Sequence, residues 1–105
     1  MEVGCGAGYL GQHFDSKIYT GIDKSETLIS KFKYFFHDNA YVSEADNLPF
    51  EDNYFEHVFV FSIMQYFPDT VYLNRVLAEL DRVAIKTIFI GDLREGQRQQ
   101  KENKV

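Results

Sequence analysis

The tightest constraint on this chain lies in its first eleven residues, Met1-Glu2-Val3-Gly4-Cys5-Gly6-Ala7-Gly8-Tyr9-Leu10-Gly11. A short strand carrying an acid runs into a glycine-dense loop, and a helix-compatible stretch follows. Glycine is required where the backbone takes positive φ or must approach a ligand closely, because it has no Cβ. A glycine loop between strand and helix is a place to bind a nucleotide-like molecule. Two frames overlap here. Gly6-Ala7-Gly8-Tyr9-Leu10-Gly11 fits the dinucleotide fingerprint, whereas Glu2-Val3-Gly4-Cys5-Gly6-Ala7-Gly8 fits an acid-x-Gly-x-Gly-x-Gly loop. The choice of frame decides the cofactor.

The rest of the chain alternates between strand-like and helix-like stretches. Met1 to Val3 reads as the end of a buried strand and Tyr9 to Phe14 as a short helix. Ile18 to Ile22 is a second strand ending at Asp23. Ser25 caps a helix to about Phe36, with Leu28, Phe32 and Phe35 on one face. Ala40 to Ala45 is a third strand, followed by a loop from Asp46 to Asn53 that Pro49 and the asparagines punctuate. His57 to Ser62 is a nearly continuous apolar run, as in a strand buried on both faces. Asp69 to Leu80 is helical with a stripe of Leu73, Val76, Leu77 and Leu80, and Ile85 to Ile90 is a fifth strand. Residues 1–93 make one domain, and Arg94 to Val105 is a polar tail.

This alternation predicts an α/β fold: a Rossmann-like, doubly wound parallel sheet of about five strands with helices on both faces. Ligands of such sheets sit beyond the carboxyl ends of the strands. Glu2 and the glycines, Asp23, Asp46, and Ser62 onward all fall at those ends.

Composition narrows the function. The hydrophobic share of 45% and aromatic share of 16% exclude a disordered chain. A net charge of −5 argues against a general grip on nucleic-acid phosphates. One cysteine excludes an internal disulfide and suits a reducing compartment. With no apolar run of membrane-spanning length and no signal-peptide layout, a cytoplasmic protein is expected.

The motifs resemble those of class I S-adenosylmethionine-dependent methyltransferases, particularly the small-molecule, type 11-like branch, over residues 1 to about 92. They are the Glu2-to-Gly8 loop, the acid in Gly21-Ile22-Asp23-Lys24-Ser25, the segment Ala45-Asp46-Asn47-Leu48-Pro49-Phe50 running on to Val58, and the strand exit Phe61-Ser62-Ile63-Met64-Gln65-Tyr66-Phe67. The resemblance implies S-adenosylmethionine as cofactor and a small-molecule methyl acceptor. It also implies a cofactor site drawn from Glu2, Gly4, Cys5, Gly6, Gly8, Asp23, Lys24, Ala45, Asp46, Leu48, Phe61, Ser62 and Tyr66. Within it, Asp23 meets the ribose hydroxyls and Asp46 the adenine amino group. Glu2 meets the ammonium of the methionine moiety, directly or through water, where it would repel a pyrophosphate.

Two departures from the family pattern stand out. The Pro-Gly-Gly turn before strand five is replaced by Arg82-Val83-Ala84-Ile85-Lys86-Thr87. Both ends are short of the usual seven strands, so the chain is expected to be a truncated methyltransferase core, or else a cofactor-binding remnant without catalysis. A dinucleotide-binding Rossmann domain is the alternative. The missing terminal hairpin would leave strand five as an edge open to a second copy. No catalytic base declares itself, and His13, His37 and His57 are too scattered for a metal site. Cys5 reads as filling a small-residue slot rather than acting as a nucleophile.

Overall fold

The computed structural model of the protein describes residues 1–61 and 68–91. The described residues form one five-stranded parallel sheet with the order β3-β2-β1-β4-β5. Its strands are β1 (Glu2–Val3), β2 (Gly21–Asp23), β3 (Ala40–Val42), β4 (Phe55–Phe61) and β5 (Ala84–Gly91). Helices α1 (Glu26–Phe35) and α2 (Thr70–Val83) complete the doubly wound α/β architecture. The expected fold class is the one observed. Strand order reverses between β1 and β4, and ligands of such sheets bind beyond the carboxyl ends of the strands near that switch point.

Period-two alternation sorts the side chains between two cores. Parallel register sets Tyr41, Ile22, Val3, Val60 and Ile90 side by side, and Ala40, Gly21, Glu2, Phe59 and Phe89 form the next row. Val3, Ile22, Val58 and Val60 pack with Val76, Leu80 and Val83 of α2. On the opposite face Cys5, Tyr19, Ile29, Phe32 and Ala40 cluster, with Phe59 against them. The sheet is thus covered by α2 on one side and by α1 on the other.

The elements differ from expectation in extent more than in kind. The stretch after the glycine loop makes only a 3-10 turn, Gly11–His13, rather than a helix from Tyr9. Ile18 to Thr20 lies outside β2, and β3 stops at Val42. Ser25 does cap α1, its hydroxyl accepting the Leu28 N–H at 3.1 Å. The buried stripe of α1, however, is Ile29 and Phe32, and Phe35 is exposed. In α2 the helix runs one turn further, to Val83, so the stripe is Val76, Leu80 and Val83, leaving Leu77 exposed. Strand β4 is not buried on both faces, since Glu56 and His57 are exposed and Phe59 only half-buried. The tail from Arg94 lies outside the described residues.

Helix α2 enters β5 with no connector, Val83 being the last helical residue and Ala84 the first of the strand. This junction replaces the absent Pro-Gly-Gly turn. Its carbonyls are closed by a distant segment: the Asn53 N–H donates to the Arg82 carbonyl at 2.8 Å and the Tyr54 N–H to that of Val83 at 2.9 Å.

Phe32 is fully buried and stacks on Tyr19 with ring centroids 5.9 Å apart. Truncation there leaves a cavity between α1 and the sheet. Phe32→Ala is expected to lower the unfolding free energy by about 3–5 kcal/mol. That is a large share of the ~5–15 kcal/mol typical of a domain. Tyr34→Ala, on the exposed side of the same helix, should change it by about 0.5 kcal/mol or less. Urea unfolding of both variants checks the contrast.

Candidate cofactor site

The glycine loop adopts the backbone that its composition demands. Gly4, Gly6 and Gly8 have φ of 81°, 54° and 104°, in the left-handed region that other residues rarely enter. Gly8 also has no room for a side chain, because a Cβ there would meet the Phe36 ring at 2.7 Å. The loop's amides are used internally. Gly4 and Cys5 both donate to the Ile22 carbonyl at 2.8 and 2.9 Å, and Gly8 donates to that of Cys5 at 3.2 Å.

Asp23 fastens this loop to the sheet. Its Oδ2 accepts the Gly6 N–H at 2.9 Å and its Oδ1 accepts the Ser25 N–H at 2.9 Å, at the entry to α1. Each carboxylate oxygen retains acceptor capacity beyond one such bond. Asp23 lies on the wall of a crevice of about 360 Å³ with Val3, Gly4, Ile22 and Lys24. Leu28, Ser43, Glu44, Ala45, Pro68 and Tyr72 close it.

Of the residues expected at the site, the crevice brings together Gly4, Asp23, Lys24 and Ala45. Gly6 and Gly8 shape the loop beside it. Asp46 points elsewhere, its Oδ2 accepting from Arg75 Nε at 3.0 Å. Leu48 is buried in the α2-side core and Cys5 in the α1-side core, with the Cys5 thiol 3.6 Å from the Gly6 carbonyl. Burial pushes that thiol up to about 12, consistent with a filler rather than a nucleophile. Phe61 ends β4, half-buried against Phe59 and Phe89. Ser62 and Tyr66 lie outside the described residues.

The crevice also recruits residues that sequence reading passed over. Glu44, and not Asp46, lines the crevice. The chain turns at this point, with the Asn47 N–H donating to the Glu44 carbonyl at 3.4 Å, so the two acids diverge. Spacing alone cannot choose between acids two residues apart on either side of a turn. Tyr72 reaches across from the first turn of α2, its hydroxyl donating to Glu44 Oε1 at 2.9 Å. Its place in the helix was legible, but its aim was not.

Glu2 sits beneath the loop rather than on the crevice wall. It is 4% exposed, and its Oε1 accepts the Tyr19 hydroxyl at 2.5 Å. Gly21 makes this possible: a Cβ there would stand 2.8 Å from the Tyr19 hydroxyl and 2.9 Å from Cys5. Burial raises the Glu2 carboxyl to about 7 and the Asp23 charge adds to it, while the Tyr19 bond and the Met1 amino group oppose.

A family model described as methyltransferase domain matches residues 1–87. A Pyrococcus horikoshii protein of solved structure aligns with a TM-score of 0.73 and 27% identity, over 96% of this chain and 52% of its own. A Methanosarcina mazei S-adenosylmethionine-dependent methyltransferase aligns at 0.72 and 24% identity, over 87% of this chain and 49% of its own. The Haemonchus contortus phosphoethanolamine N-methyltransferase 1, solved with phosphoethanolamine and S-adenosylhomocysteine, aligns at 0.71 and 17% identity, over 87% of this chain and 21% of its own. The chain therefore spans about half or less of these proteins. No curated protein sequence matched it.

The buried Glu2 carboxyl makes stability depend on pH. Its folded value lies above the ordinary 4.5, so the native state holds the proton more tightly than the unfolded chain does. The contribution is complete below pH 4.5 and is lost as pH rises through about 7, a loss on the order of 3 kcal/mol. Glu2→Gln keeps an acceptor for Tyr19 and removes the titration. Urea midpoints of the two proteins should diverge between pH 5 and pH 8, with E2Q the more stable at pH 8. Parallel profiles would mean that Glu2 ionises freely.

Proposed function

The chain belongs to the methyltransferase-domain family, and on that premise we propose that its crevice holds S-adenosylmethionine for methyl transfer to a small-molecule acceptor. The observation that carries this reading is the convergence of Gly4, Asp23, Glu44 and Ala45 on one crevice at the ends of β1, β2 and β3. The volume of about 360 Å³ falls at the lower end of the range for cofactor clefts. The wall presents carboxylate acceptors, which suit hydroxyl and amino groups. Residues 1–93 form the cofactor-binding core in this reading, and 94–105 a polar tail.

The residues take complementary parts. Asp23, already ordered by the Gly6 and Ser25 amides, offers its remaining lone pairs to ribose hydroxyls. Glu44, oriented by Tyr72, takes the place expected for Asp46 and accepts from the adenine amino group. Gly4 lets the ligand lie against backbone, and an ammonium placed near the loop would draw Glu2 beneath it into its charged form. When bound, the cofactor supplies a sulfonium methyl that a nucleophile takes in a single in-line displacement. The chain's part in such chemistry is positioning. The net charge of −5 favours a small acceptor over nucleic acid. Among the described residues β5 is an edge strand with Ile85 exposed, a surface for a second copy.

A dinucleotide cofactor fits less well. Pyrophosphate binding relies on backbone N–H groups directed at the ligand from a helix start. Here the Gly4, Cys5, Gly6 and Gly8 amides are engaged within the protein, and only a three-residue 3-10 turn follows.

Calorimetric titration with S-adenosylhomocysteine and with NAD tests the reading. Binding of the first and not the second is expected; the reverse would refute it. Glu44→Ala should weaken S-adenosylhomocysteine binding by about tenfold to a hundredfold, the worth of a charge-assisted hydrogen bond. Asp46→Ala should weaken it less, because the Asp46 carboxylate is directed to Arg75.

A further inference from the structure

Behind the crevice, α2 carries a polar device that the cofactor reading leaves unused. Arg82 has five guanidinium N–H donors, and every one meets an acceptor. Its Nε donates to Glu79 Oε1 at 2.7 Å. Its Nη1 donates to the Phe50 carbonyl at 2.8 Å and to Asp52 Oδ1 at 2.9 Å. Its Nη2 donates to the Leu48 carbonyl at 3.1 Å and to Glu79 Oε2 at 2.9 Å. Glu79 Oε2 also accepts the Leu48 N–H at 2.7 Å. One ion pair therefore holds both the N–H and the carbonyl of Leu48. The Asn53 and Tyr54 amides return to the carbonyls of Arg82 and Val83.

The same helix face continues towards the crevice. Tyr72, Arg75, Glu79 and Arg82 are spaced by three, four and three residues, which places them along one side. Tyr72 and Arg75 reach Glu44 and Asp46, while Glu79 and Arg82 reach Leu48, Phe50 and Asp52. The segment 43–54 forms no helix or strand of its own, and such a loop is costly to order.

We infer that Arg82, braced by Glu79, is a positioning residue for the crevice: it fixes the 48–53 loop on α2 so that Glu44 and Ala45 stand as a preformed wall. The inference rests on the cofactor reading above. A wall ordered before binding removes an entropic penalty from the ligand's affinity. The Arg82 hydrogen bond holds the Glu79 carboxyl below the usual range, so the pair is charged at neutral pH. Lysine cannot replace Arg82, because an ammonium lacks the planar fork that spans two carbonyls and a carboxylate.

The test compares wild type, Arg82→Lys and Arg82→Met by calorimetric titration with S-adenosylhomocysteine, at a temperature where circular dichroism shows each fully folded. Amide hydrogen exchange is followed on the same samples. Both variants are expected to bind about tenfold more weakly, the worth of losing hydrogen bonds to a charged group. The Leu48, Asn53 and Tyr54 amides should exchange faster while those of Glu2 and Gly21 keep their wild-type rates. Wild-type binding with variant affinities within about twofold, whatever the loop exchange, overturns the positioning role and spares the cofactor reading. Failure of the wild type to bind overturns both. If Arg82→Met and Arg82→Lys do not fold, Glu79→Gln, which retains an acceptor, should give a loss of about threefold, and unchanged affinity there overturns the inference equally.

Discussion

Asp23 stands where strand β2, the glycine loop and helix α1 meet, and its carboxylate keeps the three in register. One oxygen takes the Gly6 N–H and the other the Ser25 N–H. Bonds from backbone donors to an ionised acceptor are roughly twice as strong as neutral ones, and the second also sits at the favourable end of the α1 dipole. Three left-handed glycines in five residues would otherwise leave the loop with wide conformational freedom. The carboxylate narrows that freedom from inside the protein, so the floor of the crevice does not depend on a ligand for its shape.

The two sides of the sheet contribute to the crevice by different physics. Towards α2 the strands present an apolar row with Val3 at its centre, and the polar work is left to side chains on the helix. Towards α1 the central position of the row is an acid, Glu2, which is tolerable only because Tyr19 donates to it. An unpaired carboxyl in that position would carry the full cost of desolvation. The α1 side is therefore the chemically sensitive one, and the α2 side supplies mechanical support.

Fold and site were legible in the sequence to unequal degrees. The order of strands and helices followed from hydrophobic runs and from caps such as Ser25, because those signals act over a few neighbouring residues. The helix faces were less legible: Ile29 rather than Leu28 is buried, and the α2 stripe extends to Val83, since tertiary packing decides which of two adjacent apolar faces turns inward. The glycine loop and Asp23 could be read because φ requirements and strand ends restrict which residues can stand there. Glu44 could not be separated from Asp46, because a turn between them redirects one and not the other. The roles of Tyr72, Glu79 and Arg82 depend on partners about thirty residues away, which their own three- and four-residue spacing does not reveal.

The seamless passage from Val83 to Ala84 has a consequence for how this chain tolerates change. Surface connections usually absorb an added or deleted residue with little effect. At this junction there is no slack. One inserted residue would turn every β5 side chain to the opposite face of the sheet, because strand side chains alternate with a period of two. Ile88 would leave the core it packs against, and the carbonyls of Arg82 and Val83 would move out of reach of Asn53 and Tyr54. Length variation should therefore be found in the exposed turn at residues 15–18, and should be purged at residues 83–84.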